Sequence, residues 1–175
     1  MTERTMGDST TLANIPLRYN GRPLDIAAVY GTGLYTAKAA DVAARFPSRN
    51  YVVVWIDALG TAPQSCQVLD VEPGCATAGR APGWVKERRA VVHTSLPTVY
   101  CDRDDLPHVL ANCTAEGLTA GEHYQLWIST LDGTETWNGR HLSAVPGVVA
   151  CQVEGGPAAS WDRSVVYDDA WHPLA

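Results

Sequence analysis

Gln67-Val68-Leu69-Asp70-Val71-Glu72-Pro73-Gly74 is the stretch from which the fold of this chain is read. Val68, Leu69 and Val71 make a short apolar run that Pro73-Gly74 interrupts, as at the end of a core strand. Side chains alternate along a strand, so Asp70 and Glu72 face the same way. Their Cα atoms then lie about 6–7 Å apart at a rise of roughly 3.3 Å per residue. Two acids side by side at the open end of a buried strand do not both ionise cheaply, and one is expected to keep its proton near neutral pH. A protonated acid beside an ionised one is the pairing that glycosidic bond cleavage needs. The plainer alternative has one acid capping the next turn and the other facing water.

Outward from this stretch, strands alternate with helices. Leu24 to Tyr30 reads as a first core strand, closed by Gly31-Thr32-Gly33. Asn20-Gly21 before it, between Ile15-Pro-Leu-Arg-Tyr and Arg22-Pro-Leu-Asp-Ile, is a type I′ turn signal. Thr36 is placed to cap a helix with Ala39, Val42, Ala43 and Phe46 on one stripe, stopped by Pro47. Tyr51 to Ile56 is continuously apolar, as in a strand covered on both faces, with Asp57 at its end. Beyond the acid stretch come a helix from Ala81 to Val92, a strand Pro97–Cys101 and a helix opened by Asp102 to Asp105 and ended by Gly117. Strands His123–Ile128 and Val148–Val153 follow, separated by a polar loop holding Trp137, and then Asp162 and Ser164–Tyr167. This alternation predicts parallel βα units and a single-domain α/β fold, a small, partly incomplete β/α (TIM-like) barrel over residues 15–175. Residues 1–14 read as a flexible tail.

The totals agree with one globular domain: 175 residues, 46% hydrophobic and 18% charged. A net charge of -6 argues against nucleic-acid or anionic-membrane partners. No apolar run reaches the length of a transmembrane helix, and residues 1–11 lack the apolar centre of a signal peptide. A cytoplasmic product, virion-associated or released to the cell wall by another route, is the expectation. None of the five cysteines forms a CxxC pair or a zinc-type cluster, so no metal and no cofactor are expected. Cys66 and Cys75 flank the acid strand and are near enough in sequence to bridge, although most of the five read as small buried hydrophobes.

In a parallel barrel the functional face lies at the C-terminal ends of the strands. Asp57, Asp70, Glu72 and Asp102 fall at such ends, with Gln152 close to another. Carboxylates with Tyr100, Trp127 and Gln152 suit a sugar, whose C–H faces stack on aromatic rings while its hydroxyls meet acids and amides. Core packing is the competing role for each aromatic residue. A Cys101–His nucleophile pair lacks a local signature, Gly31-Thr-Gly33 lacks the rest of a phosphate loop, and Arg88-Arg89 reads as a solvated helix face.

The order of these segments resembles the glycoside hydrolase family 25-like superfamily, and within it short proteins of actinobacteria and their bacteriophages. Leu69-Asp-Val-Glu-Pro-Gly74, the Trp84 helix, Pro97–Cys101, Leu126-Trp-Ile128, Val149-Ala-Cys-Gln152 and Asp162-Arg-Ser-Val-Val166 carry the resemblance. It implies a muramidase-type activity on the glycan strand of peptidoglycan, on an incomplete β/α barrel. It further implies that Glu72 is the general acid, with Asp70 its acidic neighbour, Asp162 an acid of the last-strand motif and Asp25 the first-strand acid. Trp127 and Gln152 match positions of the substrate groove. The family pattern places Ser and Gln soon after its first-strand acid, whereas Asp25 is followed by Ile-Ala-Ala-Val-Tyr. The same superfamily accommodates a non-catalytic alternative, a barrel that binds glycan or other virion proteins.

Overall fold

The computed structural model describes residues 4–155, 159–168 and 171. Eight strands close into one barrel: β1 Arg4–Asp8, β2 Ile26–Tyr30, β3 Val52–Asp57, β4 Val68–Val71, β5 Thr98–Asp102, β6 Gln125–Ser129, β7 Val148–Glu154 and β8 Asp162–Val166. Seven run parallel. β8 is antiparallel to both its neighbours, β7 and β1. Three helices cover the outside, α1 Ala39–Arg45, α2 Ala81–Val91 and α3 Leu106–Ala115. No α-helix intervenes between β3 and β4 or between β6 and β7, so the expected incomplete β/α barrel is the fold.

Burial on both faces explains the near-continuous apolar strands. One set of alternate residues, including Ile26, Ala28, Val54, Val68, Tyr100 and Trp127, fills the interior. The other, including Leu69, Val99, Leu126 and Cys151, packs outward against α2, α3 and the connecting loops. Trp171 plugs the floor of the barrel, where its indole N–H donates to Thr98 Oγ1 at 3.1 Å.

Local chemistry accounts for the helix ends and turns. Pro107 occupies the first turn of α3, where no N–H is needed, and Gly117 follows its end with φ of 74°. The Asn20-Gly21 turn has positive φ at both residues and pairs Arg18–Tyr19 with Arg22–Pro23, as its sequence predicts. Thr36 does not cap α1. Its hydroxyl instead donates to Gly33 O at 2.7 Å, tightening the loop before the helix.

Three expectations are corrected. The segment read as a tail supplies β1, paired with β2 on one side and β8 on the other. Residues 1–3 of that tail lie outside the described residues, as do 156–158, 169–170 and 172–175. Arg88 is buried rather than solvated, and donates to Pro63 O at 3.0 Å. It thereby satisfies a carbonyl in the loop that replaces the missing β3–β4 helix. Cys66 and Cys75 are both free thiols. Cys66 is packed beneath Gly31, where an added Cβ would meet its sulfur at 2.7 Å.

Candidate functional site

At the mouth formed by the C-terminal ends of the parallel strands, four carboxyl groups from three parts of the chain converge. Asp8 ends β1, Asp70 lies on β4 with Glu72 just past it, and Asp162 begins β8. Because β8 runs antiparallel to β1, Asp162 sits directly across from Asp8 in register. Asp8 and Glu72 each feel the negative charge of Asp162, and Asp8 feels those of Asp70 and Glu72 as well. Asp70 and Glu72 share the inward face, as strand alternation requires.

Their electrostatics follow from this crowding. Burial, followed by the charges of Asp162, Asp70 and Glu72, pushes the Asp8 carboxyl well above the ordinary range. Burial and then Glu72 push Asp70 up to about 7. Neither Asp70 oxygen closes a hydrogen bond of normal geometry, although the Cys75 thiol and the Tyr30 hydroxyl are close enough to offset part of this penalty. Glu72, half-buried at the rim, is also raised, by burial and by the charges of Asp102, Asp162 and Asp105, against a lowering contact from Tyr100. Beside Asp70 the Cys75 thiol is pushed up to about 12, which keeps it a neutral S–H. The mouth therefore holds protons at neutral pH that ordinary carboxylates would have lost.

Gln152 is held by Tyr100, whose hydroxyl donates to Gln152 Oε1 at 2.7 Å. The remaining amide nitrogen faces Gly155, where a Cβ would lie 2.9 Å from it and 1.9 Å from Asp162 Oδ1. With φ of 147°, Gly155 leaves its side-chain space to the Asp162 carboxylate. Asp162 can rest against bare backbone only because residue 155 is a glycine.

The other candidate residues have different roles. Trp127 is 1% exposed and wedged between Tyr100 and Trp171, with its indole N–H on Ser164 Oγ at 3.0 Å. It is filling beneath the mouth and has no free face for a sugar. Tyr100 is likewise buried, reaching the acids only through its hydroxyl. Asp25 precedes β2 at the opposite end of the barrel, where it accepts from the Thr5 N–H at 2.8 Å. It does not join the acid cluster; Asp8, at the end of β1, does. Ser9 follows Asp8, the acid-then-serine order missing after Asp25. Asp57 points outward, accepting from Thr32 Oγ1 at 2.7 Å, the Ala62 N–H at 2.6 Å and Trp84 Nε1 at 2.9 Å. Burial raises its pKa, but these donors outweigh that and leave it below the usual value. Cys101 also faces the outer layer, where burial raises its thiol well above the ordinary range. Among the described residues no group of three or more His, Cys, Asp or Glu side chains is arranged to hold a metal ion, and no helix is long and apolar enough to cross a membrane.

The whole barrel superposes on that of a glycosyl hydrolase 25 of Streptococcus pneumoniae, GHIP, with a TM-score of 0.52, 14% identity and coverage of 93% of this chain and 86% of the other. The fold is glycosyl hydrolase 25-like. An uncharacterized B. stearothermophilus protein is also similar, with a TM-score of 0.60, 14% identity and coverage of 97% and 98%. GHIP is a virulence factor participating in host cell invasion. No protein-family model and no curated protein matches the sequence.

Proposed function

We propose that this glycosyl hydrolase 25-like barrel cleaves glycosidic bonds, with the glycan strand of bacterial peptidoglycan as its substrate. The reading is carried by the meeting of Asp8, Asp70, Glu72 and Asp162 at one barrel mouth under conditions that retain protons. Glu72, at the rim, gives its proton to the glycosidic oxygen as the C1–O bond breaks. Burial and the charges of Asp102, Asp162 and Asp105 raise its pKa and so keep that proton available. The facing Asp162 and Asp8 stabilise the positive charge developing at C1 or orient the water that adds there, and a carboxylate takes up the water's proton. Gln152, buried and fixed by Tyr100, supports the acids from beneath.

Release of reducing ends from purified peptidoglycan tests this. The wild type should produce them and Glu72→Gln, folded by circular dichroism, should not. Equal inertness of the two proteins would remove the enzymatic reading. The burial of Tyr100 and Trp127 favours a second reading, in which a rigid, filled barrel serves as a glycan-binding or structural module of a bacteriophage particle. Sedimentation with cell walls and with virions, in the absence of hydrolysis, would select it.

A further inference from the structure

Six large hydrophobic residues among those described are exposed, and three of them, Leu34 at 89%, Tyr35 at 49% and Leu59 at 54%, stand on two adjoining loops at the acid-bearing end of the barrel. Tyr35 and Leu34 lie on the loop after β2, Leu59 on the loop after β3. The loops touch: a Cβ on Gly33 would lie 3.2 Å from Ala58 Cβ and 3.9 Å from Leu59 Cγ. They are also tied down. Thr32 Oγ1 donates to Asp57 at 2.7 Å and accepts from the Leu59 N–H at 3.2 Å, and the Ala37 N–H reaches Tyr30 O at 2.9 Å. Contact runs inward from this lip to the site. The Tyr35 ring meets Tyr30 edge-on, with centroids 6.0 Å apart, and the Tyr30 hydroxyl abuts Asp70. On another side the rim is polar, with Arg103 paired to Asp132 at 2.6 Å.

We propose that Tyr35, flanked by Leu34 and Leu59, is the platform on which an uncharged pyranose ring next to the cleaved bond lies, taking the place that Trp127 cannot fill. This rests on the glycosidase reading and adds a binding site to it. A loop held by its own hydrogen bonds presents apolar surface without needing to be ordered by the ligand. An aromatic ring flanked by leucines matches the C–H face of a pyranose, and the hydroxyl edges are then left for the polar rim. The crowded carboxyl groups disfavour an anionic ligand at this place, so the ring on the platform is uncharged.

The test uses the Glu72→Gln protein, which does not turn over, and an uncharged β-1,4-linked N-acetylglucosamine tetramer followed by calorimetric titration. Adding Tyr35→Ala should weaken binding about tenfold, the scale of one lost aromatic contact. Tyr35→Trp should retain binding, and Val91→Ala, which trims an exposed apolar residue at the far end of α2, should leave it unchanged. Retained far-UV circular dichroism shows that each variant is folded. Unchanged affinity in Tyr35→Ala, or no binding by folded Glu72→Gln protein, overturns the platform. Should Tyr35→Ala keep the wild-type KM on peptidoglycan, the platform falls while the glycosidase reading stands. Weakened tetramer binding in Tyr35→Ala with no hydrolysis by wild type keeps the platform and removes the activity.

Discussion

Replacing Asp70 with Asn exchanges a buried carboxyl for an uncharged group of nearly the same shape, and its effect should depend on pH in a defined direction. Asp70 is held at about 7 in the folded chain against an ordinary value of 3.8. Between those values the folded protein keeps a proton that the unfolded chain has released. The unfolded state thus binds fewer protons, and stability falls as pH rises through the window. At about 1.4 kcal/mol per pH unit, the gap of roughly three units costs the wild type about 4 kcal/mol above pH 7, and nothing below the ordinary value. Asp70→Asn lacks this slope. Near pH 8 it should melt about 8–16 °C higher than wild type, at about 2–4 °C per kcal/mol for a chain of this size. Near pH 4 the two should melt within a few degrees of one another. Differential scanning calorimetry across this range reads the effect directly. Equal midpoints near pH 8, or a gain of the same size at both ends, would refute the assignment of Asp70 as a destabilising buried acid.

Other substitutions probe the supports of the mouth. Gly155→Ala places a methyl group on Asp162 Oδ1, so the carboxylate must move; hydrolysis should drop at least tenfold in kcat, and combining it with Asp162→Asn should add little further loss. Trp127→Ala empties the barrel between Tyr100 and Trp171 and should cost about 3–5 kcal/mol in urea unfolding. Asp57→Ala leaves the Trp84 indole and the Ala62 N–H without their acceptor and should cost about 2–4 kcal/mol, whereas Glu87→Gln, which breaks the surface pair with Arg80, should cost under about 1 kcal/mol. The Asp57 contribution is present above its ordinary value and should fade as pH falls through its lowered folded one.

The acid pair was legible because strand alternation alone puts Asp70 and Glu72 on one face, and a Pro-Gly break marks where the strand opens. The barrel was legible from the alternation of helical and strand periods. What sequence could not separate was inside from outside. Strands covered on both sides carry apolar residues at every position, so Trp127 and Asp57 had no pattern to tell them apart from groove residues. The first strand escaped for a related reason. On β1 Met6 is the one apolar residue of the inward face, and the residue between it and Asp8 is Gly7, over which Leu24 and Trp161 pack at 3.1 Å from its missing Cβ. A strand whose outer face is supplied by its neighbours carries no apolar signature of its own. Its signal was the Asp8-Ser9 pair. Asp25 could have been excluded on direction: it precedes its apolar run, and in a parallel barrel that position belongs to the floor.

The ring closes where β1 meets β8, so the earliest and latest strands along the chain must find each other before a barrel exists. That joint is also where Asp8 meets Asp162. A nascent chain still lacking β8 therefore carries Asp8, Asp70 and Glu72 but not the acid that faces them, and a cut anywhere between β1 and β8 leaves no fragment with all four. Folding of such long-range joints is slow relative to local helices. The full cluster is consequently withheld until β8 has been made, and two separately expressed halves should recover it only on being mixed.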